Sequence, residues 1–328
     1  MDALSEMFDA AQQGLFEAVF APVMFHTGLA GQLEAGYTAA GWLLVGLLQL
    51  AVLVAVIGPL QRWRPVEPVT DRATVRTDIL YTLVHRLGLF RVALFLTVSP
   101  GLDALLGWLS VAGLTTFQLD GLWPGVTDLP WVSLLLYLLV FDLVDYGIHR
   151  GQHHFEWWWR LHSLHHAQRQ MTMWSDNRNH LLDDLLRDTL LVLVARLVGV
   201  APAQFIAIVA ITQLSESFQH ANLRLWWGAW GERCWISPRF HRLHHSIGIG
   251  HESGPPVAAG KAVLGGHNFG VLLPWWDMLF GTANFELRYD PTGVRDQIEP
   301  GPDGRVRDYG QGFWSQQWRG VLRLLGRA

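Results

Sequence analysis

The chain has 328 residues, half of them hydrophobic and only 16% charged, against roughly 25% charged in an ordinary soluble domain. Its formal net charge of −4 offers no basic surface for nucleic acid. A single cysteine, Cys234, excludes an intramolecular disulfide and argues against a thiolate metal site. The composition reads as a membrane protein with a substantial polar part, and its anomaly is 15 histidines, most of them between positions 149 and 267.

In chain order, the first 30 residues carry no Lys or Arg but hold Asp2, Glu6, Asp9 and Glu17, which does not fit a cleavable signal. Leu4, Phe8, Leu15, Phe16 and Val19 recur at helical spacing and predict an interfacial amphipathic helix. Residues 38–60 are uncharged and long enough to span a hydrocarbon core of about 30 Å. Arg62, Arg64, Arg72 and Arg76 follow, so the positive-inside rule puts that end in the cytoplasm. A second span is expected near 78–100, with His85, Arg86 and Arg91 toward the cytoplasm. Residues 101–129 lack Lys and Arg, as an outside loop should, and are read as Gly-rich with room for a short interfacial helix; 130–148 form a third span that returns just before His149. Two shorter apolar segments, 185–199 and 203–219, flank a turn at Gly199–Pro202 and read as a full or partial membrane hairpin. Residues 221–314 are mostly polar, and Trp318–Arg327 alternate Arg with Leu and Val as a basic surface helix would. The expected organisation is an N-terminal interfacial segment (1–35), membrane spans (36–130), a catalytic domain (131–285) and a tail with a basic amphipathic helix (286–328). The expected fold is all-α: a polytopic membrane protein with about four spanning helices and a cytoplasmic histidine-rich helical cap.

The histidines fall in tight boxes. His149 and His153 are four apart and share a helical face. His162, His165 and His166 form HxxHH, and His241, His244 and His245 repeat it. Adjacent histidines on a helix diverge by about 100°, so each HxxHH can address two ions, and the duplicated unit suits a dimetal centre. Imidazole ligands suit Zn, Cu, Fe and Ni; spacing does not choose among them, although redox-silent zinc cannot activate oxygen. A lone histidine is usually structural, but three boxes on one membrane side leave that reading little room. A membrane metal carrier or sensor is the alternative from another class. It would place ionisable ligands inside the spans along a path, whereas these boxes lie beyond the span ends.

The run HRGQHHFEWWWRLHSLHH, from His149 to His166, resembles the signature of the fatty acid hydroxylase/sterol desaturase superfamily. So do Pro238–Gly248 (PRFHRLHHSIG), Phe218–Asn222 around His220, Asn268-Phe269-Gly270 and Trp276–Thr282, over about residues 130–285. The resemblance implies a helical membrane enzyme with a non-haem di-iron centre that uses O2 and external electrons. Carried over position by position, it makes ligands of His149, His153, His162, His165, His166, His220, His241, His244 and His245, and it leaves out His154. His180, in Arg178-Asn179-His180, matches a recurrent Arg-x-His element and is assigned as a ligand too.

Two carboxylates are expected to take catalytic roles. Asp145, four residues before His149, would orient that imidazole, and Glu216, one turn before His220, would ligate or bind a ligand's N–H. Asp142, one turn further in, is expected to have a role beside the ligands, and Asp277 to anchor the C-terminal segment or a histidine. Residues 247–266 are longer and richer in Gly than the family pattern and hold His251 and the only lysine, Lys261; they read as a lid or donor-docking loop, with His251 and His267 as loop residues.

The implied reaction is hydroxylation of a lipid-like substrate drawn from the bilayer, with desaturation as the alternative. The implied cofactors are two iron ions, with O2 as co-substrate and zinc as a possible substitute metal. No Cys set or nucleotide-binding glycine motif is present, so electrons would come from a separate ferredoxin- or cytochrome-type donor. Nearly all basic residues are Arg, a compositional hint of a GC-rich bacterial genome and hence of a multi-pass inner-membrane protein with its metal site on the cytoplasmic face.

Overall fold

The fold, from a computed structural model, is described for residues 2–113, 116–251, 256–257, 261–262, 265–301 and 304–327. Helix dominates it, and the named strands among the described residues are a two-residue hairpin, β1 (Pro256–Val257) and β2 (Lys261–Ala262). The remainder of the expected lid, residues 252–255, 258–260 and 263–264, lies outside the described residues. The chain forms two compact units, Met1–Val54 with Leu83–Gly113 and Ala55–Thr82 with Leu114–Ala328.

The N-terminal helices α1 (Asp2–Leu15) and α2 (Ala21–His26) are joined by a π turn at Phe16–Phe20. They pack on α3 (Leu33–Val52): Phe16 meets Tyr37 edge-on at 5.5 Å between ring centroids, and the Gln12 amide donates to the Tyr37 carbonyl at 2.9 Å. A second π turn, Leu53–Ile57, leads from α3 into α4 (Gly58–Trp63). Together they make one helical run, Ala30–Trp63, long and apolar enough to cross a membrane. Leu47, Leu48, Val54 and Val56 are exposed along it, the surface that lipid rather than water would cover.

The span expected at 78–100 is not one helix. α5 (Arg72–Arg86) ends, and α6 (Leu89–Thr97) starts after Gly88, which sits at φ 75°. That left-handed conformation suits glycine and stops the α-helical ladder. Arg86 turns back instead, donating from Nη1 to Gln49 at 3.1 Å, while Arg91 lies 3.5 Å over the Trp42 ring. α7 (Ser99–Val111) follows, overlapping the segment in which a short interfacial helix is expected.

The second unit is built on α8 (Pro130–His154), the other helix among the described residues able to span a membrane. Pro130 opens it where a missing N–H does no harm. α9 (Glu156–His166) packs against its end, and α10 (Leu181–Val198) and α11 (Pro202–Gln219) form the expected pair, with Gly199 in the left-handed conformation between them. Tyr137, Phe141 and Ile148 of α8 share a core with Trp158, Leu191 and Ile208, one from each of the other three helices. Beyond α11 come the short helices α12 (Gly228–Gly231), α13 (Pro238–His244) and α14 (Trp275–Phe280), and the last helix is α15 (Phe313–Leu324). Ser237 caps α13 by accepting the Phe240 N–H at 3.1 Å, which sets the register of the third histidine box.

Candidate metal centre

α8 carries His149 and His153 on one face, and α9 brings His162, His165 and His166 against them. His220 ends α11, and α13 supplies His241 and His244 with His245 at its cap. All nine side chains are buried. Their nitrogens gather in two main groups, His149–His153–His162–His166 and His165–His220–His241–His245, the atoms of each lying within 4.8 Å of one another. A third grouping, His166 with His244 and His245, links the two. The His244 ring lies 4.5 Å from that of His149 and 4.6 Å from that of His153, centroid to centroid, on the side of the first group. Adjacent histidines do diverge: His165 and His166 belong to different main groups, and His244 and His245 face different neighbours.

Five of the nine have the same tautomer imposed on them. Nδ1 of His149, His153 and His244 donates to the carbonyls of Phe269, Gly265 and His267, at 2.9, 3.0 and 2.8 Å. His220 Nδ1 donates to the Glu216 carbonyl at 2.8 Å, and His162 Nδ1 to Asp183 Oδ2 at 2.9 Å. With its proton on Nδ1, each ring turns a bare Nε2 lone pair inward. His149, His162 and His244 have Nε2 buried with no hydrogen-bond partner among the described residues. Nε2 of His220 stands 3.1 Å from Nε2 of both His165 and His241, His241 is 3.1 Å from His245, and His153 is 3.0 Å from His166. Nitrogens sharing one ion at a bond length of about 2.1 Å stand about 3.0–3.4 Å apart, so these contacts suit shared coordination. Burial and mutual repulsion hold His165, His166, His241, His244 and His245 well below the usual histidine range, hence neutral. Neutral imidazoles with orphaned inward lone pairs fit a transition-metal pair.

The carbonyls of Gly265, His267 and Phe269 come from alternate residues of one strip of chain, so three ligand rings are oriented by a single segment. Asp277 holds that strip by accepting the N–H groups of Phe269 and Gly270 at 2.9 and 2.7 Å. Asp142 grips the continuation, accepting from Leu272 and Leu273 at 2.8 and 3.3 Å and from the Trp276 indole at 2.9 Å. His251, read as a loop residue, donates from Nδ1 to the His153 carbonyl at 3.2 Å.

Three expected roles are changed by the structure. Asp145 does not orient His149, because the Phe269 carbonyl already holds that Nδ1. Its carboxylate instead meets Arg187 Nε at 3.0 Å, while Arg187 Nη2 reaches Glu216 at 3.2 Å. Glu216 therefore serves His220 through its backbone carbonyl, a contact any residue four before a helical histidine can make. His180 stands outside both groups: its Nδ1 accepts the Leu182 N–H at 3.2 Å, capping α10, and its Nε2 donates to the Gln317 carbonyl at 2.9 Å. Gly320 lies on it so closely that an added Cβ would come within 2.1 Å of the His180 ring. This histidine docks α15. His180→Ala should lower the thermal midpoint by the equivalent of about 1–3 kcal/mol and leave bound metal per chain unchanged in elemental analysis; loss of an equivalent of metal in a folded variant would make His180 a ligand after all.

Asp183 is the residue that sequence reasoning missed. Besides His162 it accepts Gln152 Nε2 at 2.8 Å and the Trp158 indole at 2.7 Å, both on Oδ1. Its signal was its place one turn after His180, at the buried start of a helix.

Residues 134–282, which hold all nine histidines, Asp183 and the carbonyl strip, match the fatty acid hydroxylase family. An ornithine lipid hydroxylase of Rhizobium tropici, OlsE, is 26% identical over 275 residues, covering 83% of this chain and 77% of that protein. A fatty acid hydroxylase of Lecanicillium sp, vlmA, is 24% identical over 179 residues, covering 50% of this chain and 45% of that protein. No solved structure shows significant similarity. The segment that matches the fatty acid hydroxylase family is thus the one whose histidines the fold gathers.

Proposed function

We propose that this protein is a membrane hydroxylase that inserts oxygen into a C–H bond of a lipid-like substrate, using two iron ions, O2 and electrons from a separate protein donor. The observation that carries the reading is the convergence of nine buried histidines, five of them held at Nδ1 so that Nε2 turns inward. His149, His153, His162 and His166, with His244 beside them, would hold one ion; His165, His220, His241 and His245 would hold the other. Bound iron supplies what the side chains lack, the reduction of O2 to an oxidant able to take hydrogen from an unactivated C–H bond. Zinc fits the donors but has no redox chemistry.

The protein's own part is to keep the imidazoles neutral and aimed, through Asp183 and the 265–269 carbonyls, and to exclude water by burial. Arg187, between Asp145 of α8 and Glu216 of α11, ties together the helices that carry His149 and His220. The names of both relatives denote enzymes acting on lipids, which favours a lipid substrate. Ala30–Trp63 and Pro130–His154 would cross the bilayer, and α10 and α11 would complete about four passes. The arginines from Arg62 to Arg76 support a cytoplasmic face for the histidine end of these helices, the inner-membrane face in a bacterium.

Purified protein is expected to hold about two irons per chain and to consume O2 with a reductant. Lipid extracts from cells with the gene should contain a species one oxygen atom heavier than its counterpart without it. A lipid lighter by two hydrogens would turn the assignment to desaturation. One labile metal and no O2 uptake with any reductant would sink the oxygenase reading.

A further inference from the structure

α9, α15 and residues 295–301 and 305–309 line an open cavity of about 1130 Å³ that nothing above uses. One wall is Trp159, whose ring lies 4.9 Å from that of His153 and 5.2 Å from that of His166, so the cavity is separated from the candidate metal centre by one side chain. The described lining holds Arg323 and six other arginines, Arg160, Arg295, Arg305, Arg307, Arg319 and Arg327, against four carboxylates. Each of those carboxylates already has an arginine: Glu156 pairs with Arg160, Asp308 with Arg319 at 2.8 Å, Asp296 with Arg307 at 3.6 Å and Glu299 with Arg295 at 3.9 Å. Guanidinium groups thus outnumber carboxylates in the described lining.

Arg323 is the unusual one. It is only 5% exposed, its Nε donates to the Arg160 carbonyl at 3.2 Å, and its guanidinium lies 4.3 Å over the Tyr309 ring. Its Nη1 and Nη2 are buried with no hydrogen-bond partner among the described residues. A buried guanidinium with two unused donors among the described residues needs an acceptor, and its fork matches the paired oxygens of a phosphate or carboxylate.

We propose that this cavity is a seat for an oxyanion, a phosphate or carboxylate group, gripped by Arg323. The oxyanion can come from a free anion or from the headgroup of an anionic lipid. The headgroup version rests on the proposed hydroxylase reading, since it would set a substrate's polar end against the Trp159 wall of the metal centre; the anion site itself does not.

The test is thermal unfolding of the full chain in neutral detergent, so its outcome is independent of metal content and turnover. One arm titrates inorganic phosphate against chloride at equal ionic strength, and the other titrates short-chain phosphatidylglycerol against a neutral diacylglycerol. Wild type should be stabilised saturably, by a few degrees at a large excess of ligand, and Arg323→Gln should lose the effect. Because Arg323 is buried, the double variant Arg305→Ala/Arg327→Ala at the wall serves as a second probe, expected to fold and to bind at least about tenfold more weakly. Stabilisation by phosphate and phosphatidylglycerol alike, weakened in the variants, supports a headgroup seat. Stabilisation by phosphate alone supports a free-anion site. No stabilisation by either, or the same stabilisation in wild type and variants, overturns the proposal.

Discussion

Asp183→Asn should fold and yet bind metal about 10–100-fold more weakly at one of the two histidine groups. The argument lies in which oxygen serves which donor. Gln152 and Trp158 both donate to Oδ1, while His162 donates to Oδ2. An asparagine keeps its two donors satisfied only by placing its carbonyl oxygen at the Oδ1 position, which puts its NH2 against His162 Nδ1. Two N–H groups cannot face each other, so His162 must carry its proton on Nε2 and loses the lone pair it turns toward His149, His153 and His166. Outer partners of ligand histidines are worth this much in other metal sites. Asp183→Ala adds a structural penalty, since three buried donors lose their acceptor at roughly 1–3 kcal/mol each, and it should lower the thermal midpoint as well. Metal per chain against a competing chelator separates the cases: the Asn variant should keep its fold and about half its metal. Full retention at the same chelator concentration would remove His162 from the ligand set.

How much of this centre was legible in the sequence follows from what carries each part. The boxes were legible because helical spacing alone puts His149 with His153 and sends His165 and His166 in different directions. The orienting shell was far less so. Four of its acceptors are backbone carbonyls, at Glu216, Gly265, His267 and Phe269, and a carbonyl leaves no mark on residue identity. The Asn268-Phe269-Gly270 element could be recognised, but its work is done by its main chain, held by Asp277. Proximity in sequence also misled: Asp145 and Glu216 lie one turn from ligand histidines, but Arg187, remote from both in sequence, claims their charges. His180 sits in a ligand-like motif, and only the docking of α15, more than 130 residues later, shows both its nitrogens committed. Among the spans, apolar length located Ala30–Trp63 and Pro130–His154, whereas the break at Gly88 depended on one glycine that a hydropathy window averages away.

Acid should dismantle the centre over a narrow range, beginning as pH falls below about 6.5. Burial holds His165, His166, His241, His244 and His245 well below the usual histidine range, and it pushes His267 down to about 4. The unfolded chain takes up protons on these six side chains near their ordinary value, while the folded chain does not. Between the two values the unfolded state binds more protons, so stability rises with pH and is lost as pH falls. Each group adds to the loss once pH falls below its ordinary value, and six of them together weigh heavily against a typical total of about 5–15 kcal/mol. Bound metal acts in the same direction, because only the neutral imidazole ligates and protons compete with the ion. Metal-free protein should therefore show a thermal midpoint that is flat from about pH 8 to 7 and collapses by about pH 5.5, and loaded protein should release metal over the same range. His267→Asn, which removes one buried histidine and none of the nine in the groups, should shift the collapse slightly toward lower pH. A midpoint independent of pH from about 7 to 5 would mean that the histidine cluster stays open to water and protons in the folded protein, contrary to the buried, neutral arrangement on which the metal assignment depends.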